Sequence, residues 1–195
     1  PREFTIVEGT CNGKTATFEG LVAAGTTDFT AVYPYSAAVS VSNGIVTVNA
    51  AETQTLGEAN IAEGATLSVA SFKKGDAAFE FKTAIGYLRV DVDKDDVTSI
   101  IVKGSNIAGQ ATFNAAGELQ EVKEGKNQVT LTPNADVFAA GSYYLTLLPG
   151  TTAENFNITL VRKNEFSAQM TAEKSVTIPR NGGFFLDSSK LTFKY

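Results

Sequence analysis

The sequence contains no histidine and no tryptophan, and it has one cysteine and one methionine among 195 residues. Catalytic pairs of serine or cysteine with histidine, and metal sites built from imidazole, all require histidine. A single cysteine can neither close an internal disulfide nor build a cysteine-rich zinc site. The composition therefore excludes the commonest hydrolase and metalloprotein chemistries. We predict a non-enzymatic protein with no catalytic site, no cofactor and no structural metal.

Positive charge and long apolar runs are also scarce. The 16 basic residues are outnumbered by 21 acidic ones, the net charge is -5, and the longest basic cluster is Lys73-Lys74. A nucleic-acid-binding surface needs a stripe of basic side chains, so we expect no nucleic-acid partner. A membrane helix requires roughly 18 consecutive apolar residues, and no run reaches that length, so we expect no transmembrane segment.

Two local features fail as functional sites. A calcium loop of the EF-hand type that began at Asp91 would need glycine at its sixth position and glutamate at its twelfth. The sequence has Asp96 and Val102 there, so we interpret residues 93–96 as a solvated connection. Cys11 follows residues that do not resemble the apolar, small-residue approach to a lipid-anchored cysteine. We expect Cys11 to be an ordinary half-buried side chain.

The dominant pattern in the chain is alternation of apolar with polar or small residues, as in Phe29–Tyr33. This period of two predicts strands, and turn signals recur between them at intervals typical of a β-sandwich. Asn43-Gly44 predicts a tight hairpin, because both residues tolerate positive φ. Residues 114–117 predict a second tight turn. Helix patterns are weak and allow about one turn each in 56–65 and 134–140.

Two segments predict irregular strands. In residues 79–92 the apolar positions are first odd-numbered and then even-numbered, which a regular strand cannot accommodate. We therefore predict a bulge or crossover at 83–86, with Gly86 allowing the kink. Residues 97–113 contain a Gly-Ser-Asn break at 104–106. That break predicts one strand, a crossing and then a second strand.

The polar run at 93–96 is the predicted domain junction. About seven strand candidates precede it and about eight follow it, and each half has the length of one sandwich. We predict an all-β protein with an N-terminal β-sandwich at 1–92 and a C-terminal β-sandwich at 93–195. A single continuous sandwich is the alternative.

Two groups of side chains are candidate contact residues. Exposed tyrosines could form a carbohydrate platform, although most aromatic rings are better interpreted as core, since 13 phenylalanines outnumber six tyrosines. The carbohydrate candidates are Tyr33, Tyr35, Tyr143 and Tyr144. The C-terminal run alternates so that three apolar side chains share one face and could be donated to a neighbouring subunit. These strand-donor candidates are Leu191, Phe193 and Tyr195. Pairing of this last strand within its own chain is the alternative.

The order of several segments resembles fimbrillin-type bacterial surface proteins. A Tyr-Pro-Tyr segment at 29–35 comes first, and strands with characteristic apolar patterns follow, one of which ends in Pro149. The matching segments are 29–35, 66–70, 79–90, 97–113, 143–149, 156–160 and 175–181. The resemblance extends from about residue 29 to residue 195.

This resemblance implies two tandem transthyretin-like β-sandwiches on the cell surface, associated with the outer membrane or with a fimbrium. It also implies that subunits join through strands. Our first hypothesis is a fimbrial subunit or adhesion protein whose partners are other surface subunits and a host glycan or protein. The alternative is a carbohydrate-binding module of a surface polysaccharide-uptake system. An open sheet edge with an apolar groove would favour the first, and an exposed aromatic pair on one sandwich face would favour the second.

Overall fold

The computed structural model describes residues 1–152, 156–163, 167–185 and 192–194. Almost all regular structure in these residues is strand, which confirms the prediction of an all-β protein. The helical segments described are two short 3₁₀ turns, Tyr35–Ala37 and Glu58–Asn60. The second lies within the predicted 56–65 segment, whereas residues 134–140 form no helical turn.

Eighteen strands are described, and most of them are short. In chain order they are β1 (Thr5–Ile6), β2 (Phe18–Glu19), β3 (Asp28–Tyr33), β4 (Ala38–Ser42), β5 (Ile45–Ala50), β6 (Thr53–Thr55), β7 (Ser68–Lys73), β8 (Lys82–Thr83), β9 (Gly86–Val92), β10 (Val97–Phe113), β11 (Leu119–Thr132), β12 (Gly141–Leu147), β13 (Gly150–Thr152), β14 (Asn157–Arg162), β15 (Ser167–Thr171), β16 (Val176–Ile178), β17 (Gly183–Phe185) and β18 (Thr192–Lys194).

The long hairpin β10–β11 is the centre of the fold. It belongs to a sheet in which β18, β15, β14, β10, β11 and β6 are neighbours in that order. The second half of β10 also pairs with β5, and β5 pairs in turn with β4. Three-stranded sheets pack against it, in the orders β3–β7–β8 and β12–β9–β17. On the side away from β11, β10 pairs with β14 near Val97 and with β5 from Gly109 onward.

The prediction of two strands joined by a crossing at 104–106 is wrong, because β10 runs through these residues as one strand. The irregularity is a bulge: Lys103 pairs with Gln128, and the next partners are Ala108 and Lys126. Five residue steps on β10 therefore face two steps on β11. Asn106 adopts a φ of 57° within the bulge. The extra residues are absorbed where β10 passes from one hydrophobic cluster to the other.

Two hydrophobic clusters form the interior. The large core comprises Leu56, Ala62, Leu88, Val90, Val92, Val97, Ile100, Val102, Ile107, Ala108, Val129, Leu131, Phe138, Tyr143, Leu145, Leu147, Phe156, Ile158, Leu160, Ala168 and Ile178. The small core comprises Val46, Val48, Leu67, Val69, Ala84, Ile85, Ala111, Phe113 and Leu148. Both contain side chains from β10, so this strand connects them.

The predicted boundary at 93–96 does not separate these two cores. Val92 and Val97, on either side of the polar run, both lie in the large core, and the small core combines Val46 with Phe113. Residues 93–96 are a solvated turn between β9 and β10, as their polarity indicated. The turn is held by Asp96, whose carboxylate accepts hydrogen bonds from Arg162 Nε at 2.7 Å. The hydrogen bond from Arg162 is the main cause that lowers the pKa of Asp96.

The local turn predictions are confirmed. Asn43 and Gly44 have φ values of 50° and 75° between β4 and β5. Gly117 has a φ of 75°, and its N–H donates to the Asn114 carbonyl at 2.9 Å between β10 and β11. Both turns were predictable because their chemistry is local.

The crossover predicted at 83–86 is also confirmed. β8 pairs with β7, whereas β9, which starts at Gly86, pairs with β12 and β17. The buried residues Ala84 and Ile85 connect the two sheets. A Cβ at position 86 would approach Ile178 and the Pro179 carbonyl to 2.5 Å. Close packing is therefore the reason for glycine here, in place of the predicted kink.

The first 27 residues form an exposed extension in which β1 pairs with β2. Cys11 lies here and is exposed, so the expectation that it would be half-buried is wrong. Large apolar side chains of this extension, including Ile6 and Leu21, are exposed as well. In the part of the chain that the structure describes, no helix has the length and apolar character needed to cross a membrane.

Candidate functional site

Sheet edges and exposed faces are the distinctive surface features of the described residues. Within the described ranges, no three side chains of the histidine, cysteine, aspartate or glutamate type come together as a possible metal site. The surface presents an uncharged sheet edge, a charged edge, a row of aromatic rings and a polar–aromatic patch.

The uncharged edge is formed by β3 and β4, and we call it the β3–β4 edge. Among the described strands, β3 pairs only with β7 and β4 pairs only with β5. The 3₁₀ turn between them brings the two strands into contact. Apart from Asp28 at the start of β3, the edge is uncharged, because residues 29–51 contain no charged side chain. Val39 is 42% exposed and Val41 39% exposed, so the edge presents apolar surface to solvent.

The position of Val41 explains how this edge is connected to the interior. Val41 lies opposite Val46, which is fully buried in the small core. Directly opposed residues of an antiparallel pair share one face of the sheet. Val41 therefore lies at the rim of the small core, where no further described strand covers it. A register irregularity next to Val39 leaves Ser40–Ser42 as the regularly paired part of β4.

The opposite edges are protected. Described pairing of β6 with β11 is limited to Thr130–Thr132, so much of β11 is a long sheet edge. The exposed part of β11 carries alternating charges, among them Glu121, Lys123 and Lys126. Charged side chains on an edge strand oppose pairing with another chain. The β8 edge is covered differently, because Arg180 donates to the carbonyls of Thr83 and Ala116.

An aromatic row lies on the sheet formed by β3, β7 and β8 and on the segment before β8. Phe29, Phe72 and Phe79 stack nearly parallel, with ring centroids 4.9 and 4.1 Å apart. Phe81 meets Phe79 edge-on at 5.6 Å and Tyr33 at 6.4 Å. Phe72 is thus stacked between neighbouring rings. A sugar platform needs ring faces that are open to solvent, so this row is better suited to holding residues 79–81 on the sheet.

The structure separates the four tyrosines predicted to contact carbohydrate. Tyr33 and Tyr35 are exposed at the β3–β4 edge. Tyr143 is buried in the large core, where its hydroxyl donates to the Ala139 carbonyl at 2.7 Å and its ring packs against Phe138. The prediction of a surface role for Tyr143 is therefore wrong. Tyr144 points to the other face of β12 and is half-buried.

The C-terminal candidates fall partly on described residues. Phe193 lies in β18, and its backbone pairs opposite Ala168 of β15 in the same chain. This is the arrangement of the in-chain alternative, and strand donation stays a prediction. Leu191 and Tyr195 lie outside the described residues.

A polar–aromatic patch lies on the outer face of β12, β9 and β17, and the sequence predicted a contact role for only one of its residues, Tyr144. It comprises Arg89, Asp91, Ser142, Tyr144 and Phe185. Arg89 Nε donates to Asp91 Oδ1 at 2.9 Å and Arg89 Nη2 donates to Asp91 Oδ2 at 3.2 Å. Ser142 Oγ donates to Asp91 Oδ1 at 2.6 Å, and the Arg89 guanidinium carbon lies 5.0 Å from the centroid of the Phe185 ring. The alternation of β9 indicated that positions 89 and 91 share a face, but not which strands flank them.

A family model described as fimbrillin-like matches residues 13–190. The chain belongs to the fimbrillin-like family. This assignment confirms the resemblance seen in the order of the sequence segments. No curated protein sequence matches the chain significantly.

Solved structures share the fimbrillin-like fold of the chain. A candidate cell adhesion protein from Bacteroides ovatus ATCC 8483 superposes with a TM-score of 0.56 at 11% identity, over 91% of this chain and 72% of that one. A candidate cell adhesion protein from Bacteroides uniformis ATCC 8492 gives a TM-score of 0.55 at 14% identity, over 98% and 88% of the two chains. At such identities the similarity demonstrates a shared fold.

Proposed function

We propose that this fimbrillin-like protein is a non-enzymatic adhesion protein or fimbrial subunit that joins other surface subunits by strand pairing along β4. The observation that carries the proposal is the uncharged, apolar β3–β4 edge. Family membership and the adhesion descriptions of its structural neighbours support the same role. We place the protein on the cell surface or in a fimbrium, in association with the outer membrane.

Strand pairing at this edge has two driving forces. The outer side of β4 presents backbone N–H and C=O groups that an incoming strand can bond. Each such hydrogen bond contributes about 0.5–1.5 kcal/mol net. An incoming strand would also cover Val41 at the rim of the small core, and burial of apolar area contributes roughly 25 cal/mol per Å². The β11 edge also offers backbone hydrogen-bonding groups, but its charged side chains, Glu121, Lys123 and Lys126, oppose pairing with another strand.

Val41→Lys is expected to abolish assembly and to leave the monomer folded. Val41 is 39% exposed, so the lysine can extend its charge into water, and we expect a stability change within about 1 kcal/mol. The same charge lies where an incoming strand would have to pack. Light scattering and electron microscopy of purified protein at rising concentration would measure assembly. The matched control is Gln120→Lys on β11, an edge that is already charged.

Assembly of Val41→Lys at the wild-type concentration would contradict pairing along β4. Loss of assembly in both variants would show that an added charge blocks assembly on either edge, so the β4 edge would have no special role. Circular dichroism of both variants would verify that the monomer is folded.

Deletion of residues 190–195 is expected to destabilise the monomer. The described part of this segment, Thr192–Lys194, pairs with Ser167–Gln169, so its removal breaks a ladder and opens the β15 edge. Urea denaturation would measure the loss in free energy of unfolding. If the deleted protein instead kept its stability and lost only assembly, the segment would act as a donor strand. In that case Leu191, Phe193 and Tyr195 would be the donor side chains, as the sequence predicts.

The alternative of a carbohydrate-binding module in a polysaccharide-uptake system gains no support from the aromatic row. Its rings stack on one another, and Tyr143 is buried. Tyr33 and Tyr35 lie at the edge to which we assign strand pairing, so of the four tyrosine candidates only Tyr144, half-buried on another sheet face, is left as a possible sugar contact.

A further inference from the structure

We propose that the polar–aromatic patch, formed by Arg89, Asp91, Ser142, Tyr144 and Phe185, binds a neutral hexose unit of a glycan. The patch lies on the outer face of the β12–β9–β17 sheet, whereas the partner strand is proposed to bind at β4. The inference rests on the proposed surface role only for its biological setting, since sugar binding by a purified monomer requires no assembly.

The strand register places an aromatic ring on each side of Arg89. Phe185 is its partner on β17 and Tyr144 is its partner on β12. Phe185 is 51% exposed although it is a phenylalanine. Aromatic rings on a sheet surface offer flat apolar area, and the C–H face of a pyranose ring is a flat apolar surface of similar size. The Arg89 guanidinium lies over one part of the Phe185 ring, which is still 51% exposed, so one sugar ring can pack on the uncovered strip between the two rings.

Between the rings lies a hydrogen-bonding pair that is already oriented. The Asp91 carboxylate accepts two bonds from Arg89 and one from Ser142. A carboxylate has about four acceptor positions and a guanidinium has five N–H donors, so both groups retain capacity beyond these bonds. Adjacent hydroxyls of a hexose donate and accept at the same time. A fixed acceptor beside a fixed donor matches that requirement without reorganisation.

The charge of the patch favours a neutral sugar. The charges of Arg89 and Asp91 compensate one another, because Arg89 Nε lies 2.9 Å from Asp91 Oδ1. An acidic sugar would be attracted by the guanidinium and repelled by the neighbouring carboxylate. Arginine binds anions most strongly through two parallel hydrogen bonds, and here Asp91 already accepts from Nε and Nη2 of Arg89. Tyrosine, phenylalanine and arginine are also enriched at protein interfaces, so a protein contact is the outcome from which the experiment must distinguish sugar binding.

Saturation-transfer NMR and titration with simple glycosides would test the proposal on the full chain. The neutral probes are methyl α-mannopyranoside, methyl β-glucopyranoside and methyl β-galactopyranoside. The acidic probe is methyl β-galacturonide, which differs from the galactoside in its C6 carboxylate. We expect at least one neutral glycoside to bind, and the galactoside to bind at least as well as the galacturonide.

Phe185→Ala and Tyr144→Ala should each weaken binding of the preferred neutral glycoside by about tenfold, the scale of one lost aromatic contact. Phe79→Ala is the matched control, because Phe79 is 38% exposed and lies in the aromatic row. It should bind the glycoside as the wild type does. Asp91→Asn should shift preference towards the galacturonide, because Arg89 then lacks its compensating charge.

Four results would overturn the proposal. The first is that no neutral glycoside binds the wild-type chain. The second is that Phe185→Ala and Tyr144→Ala bind as tightly as Phe79→Ala does. The third is that the galacturonide binds the wild-type chain better than the galactoside. A change in oligomeric state, caused by the patch variants without any sugar binding, would identify the patch as a protein contact and would also overturn the proposal.

Discussion

A fragment that ends at Val92 is expected to remain unfolded on its own. The fragment would retain β3 to β9 but lose Ala111, Phe113 and Leu148 from the small core. It would also lose β10, which is the partner of β5, and β12, which is a partner of β9. Its remaining large-core side chains would then face water. The free energy lost with this buried apolar surface would exceed the free energy of unfolding of 5–15 kcal/mol that is typical of a domain.

Circular dichroism and urea titration of residues 1–92 would measure the outcome, and the expected result is no cooperative transition. The control is coexpression of 1–92 with 93–195. Because 93–96 is an exposed turn, a break there should be tolerated, and the two halves should associate into a folded complex. A fragment 1–92 that unfolded cooperatively by itself would support the tandem-domain boundary predicted from the sequence.

The sequence-level errors share one physical origin. Asn43-Gly44 and residues 114–117 specify their turns through their own φ preferences, so the hairpins could be predicted from neighbouring residues alone. The pairing of β5 with β10 and the parallel pairing of β17 with β9 join residues far apart in sequence. Nothing local encodes those contacts. A polar turn and a domain linker therefore looked the same at 93–96.

The two adjacent tyrosines on β12 show the same limit at the scale of one residue. Alternation indicates that Tyr143 and Tyr144 point to opposite faces, but apolar residues occur at both parities further along, at Leu147 and Leu148. Which face is buried depends on the sheets packed against β12. Only the structure assigns Tyr143 to the large core and Tyr144 to the outer face.

Of the polar–aromatic patch, the sequence predicts a contact role for Tyr144 alone. The sequence neighbours of Asp91 are acidic, so local sequence indicates only a calcium loop there. Its neighbours in space are Arg89 and Ser142, and Phe185 lies beyond Arg89 on a third strand. By contrast, the uncharged stretch at 29–51 is visible in the sequence. Its meaning depends on β3 and β4 lying at sheet edges, which the topology establishes.

Replacement of the buried Phe113 by alanine is expected to lower the free energy of unfolding by about 3–5 kcal/mol. Phe113 is fully buried in the small core, at the end of β10 where it pairs with β5. Phe79→Ala is the matched control, because its ring is 38% exposed and can be truncated without opening a closed cavity. We expect that variant to lose far less stability, within about 1.5 kcal/mol.

The shape of the Phe113→Ala transition carries as much information as its midpoint. β10 contributes Val97, Ile100 and Val102 to the large core and Phe113 to the small core. A cavity in the small core should therefore reduce the stability of the whole chain, and urea denaturation followed by tyrosine fluorescence and by circular dichroism should give one coincident transition. If the two probes separated, with the small core unfolding first, the cores would be independent despite the shared strand. The β3–β4 edge could then be lost without unfolding the large core.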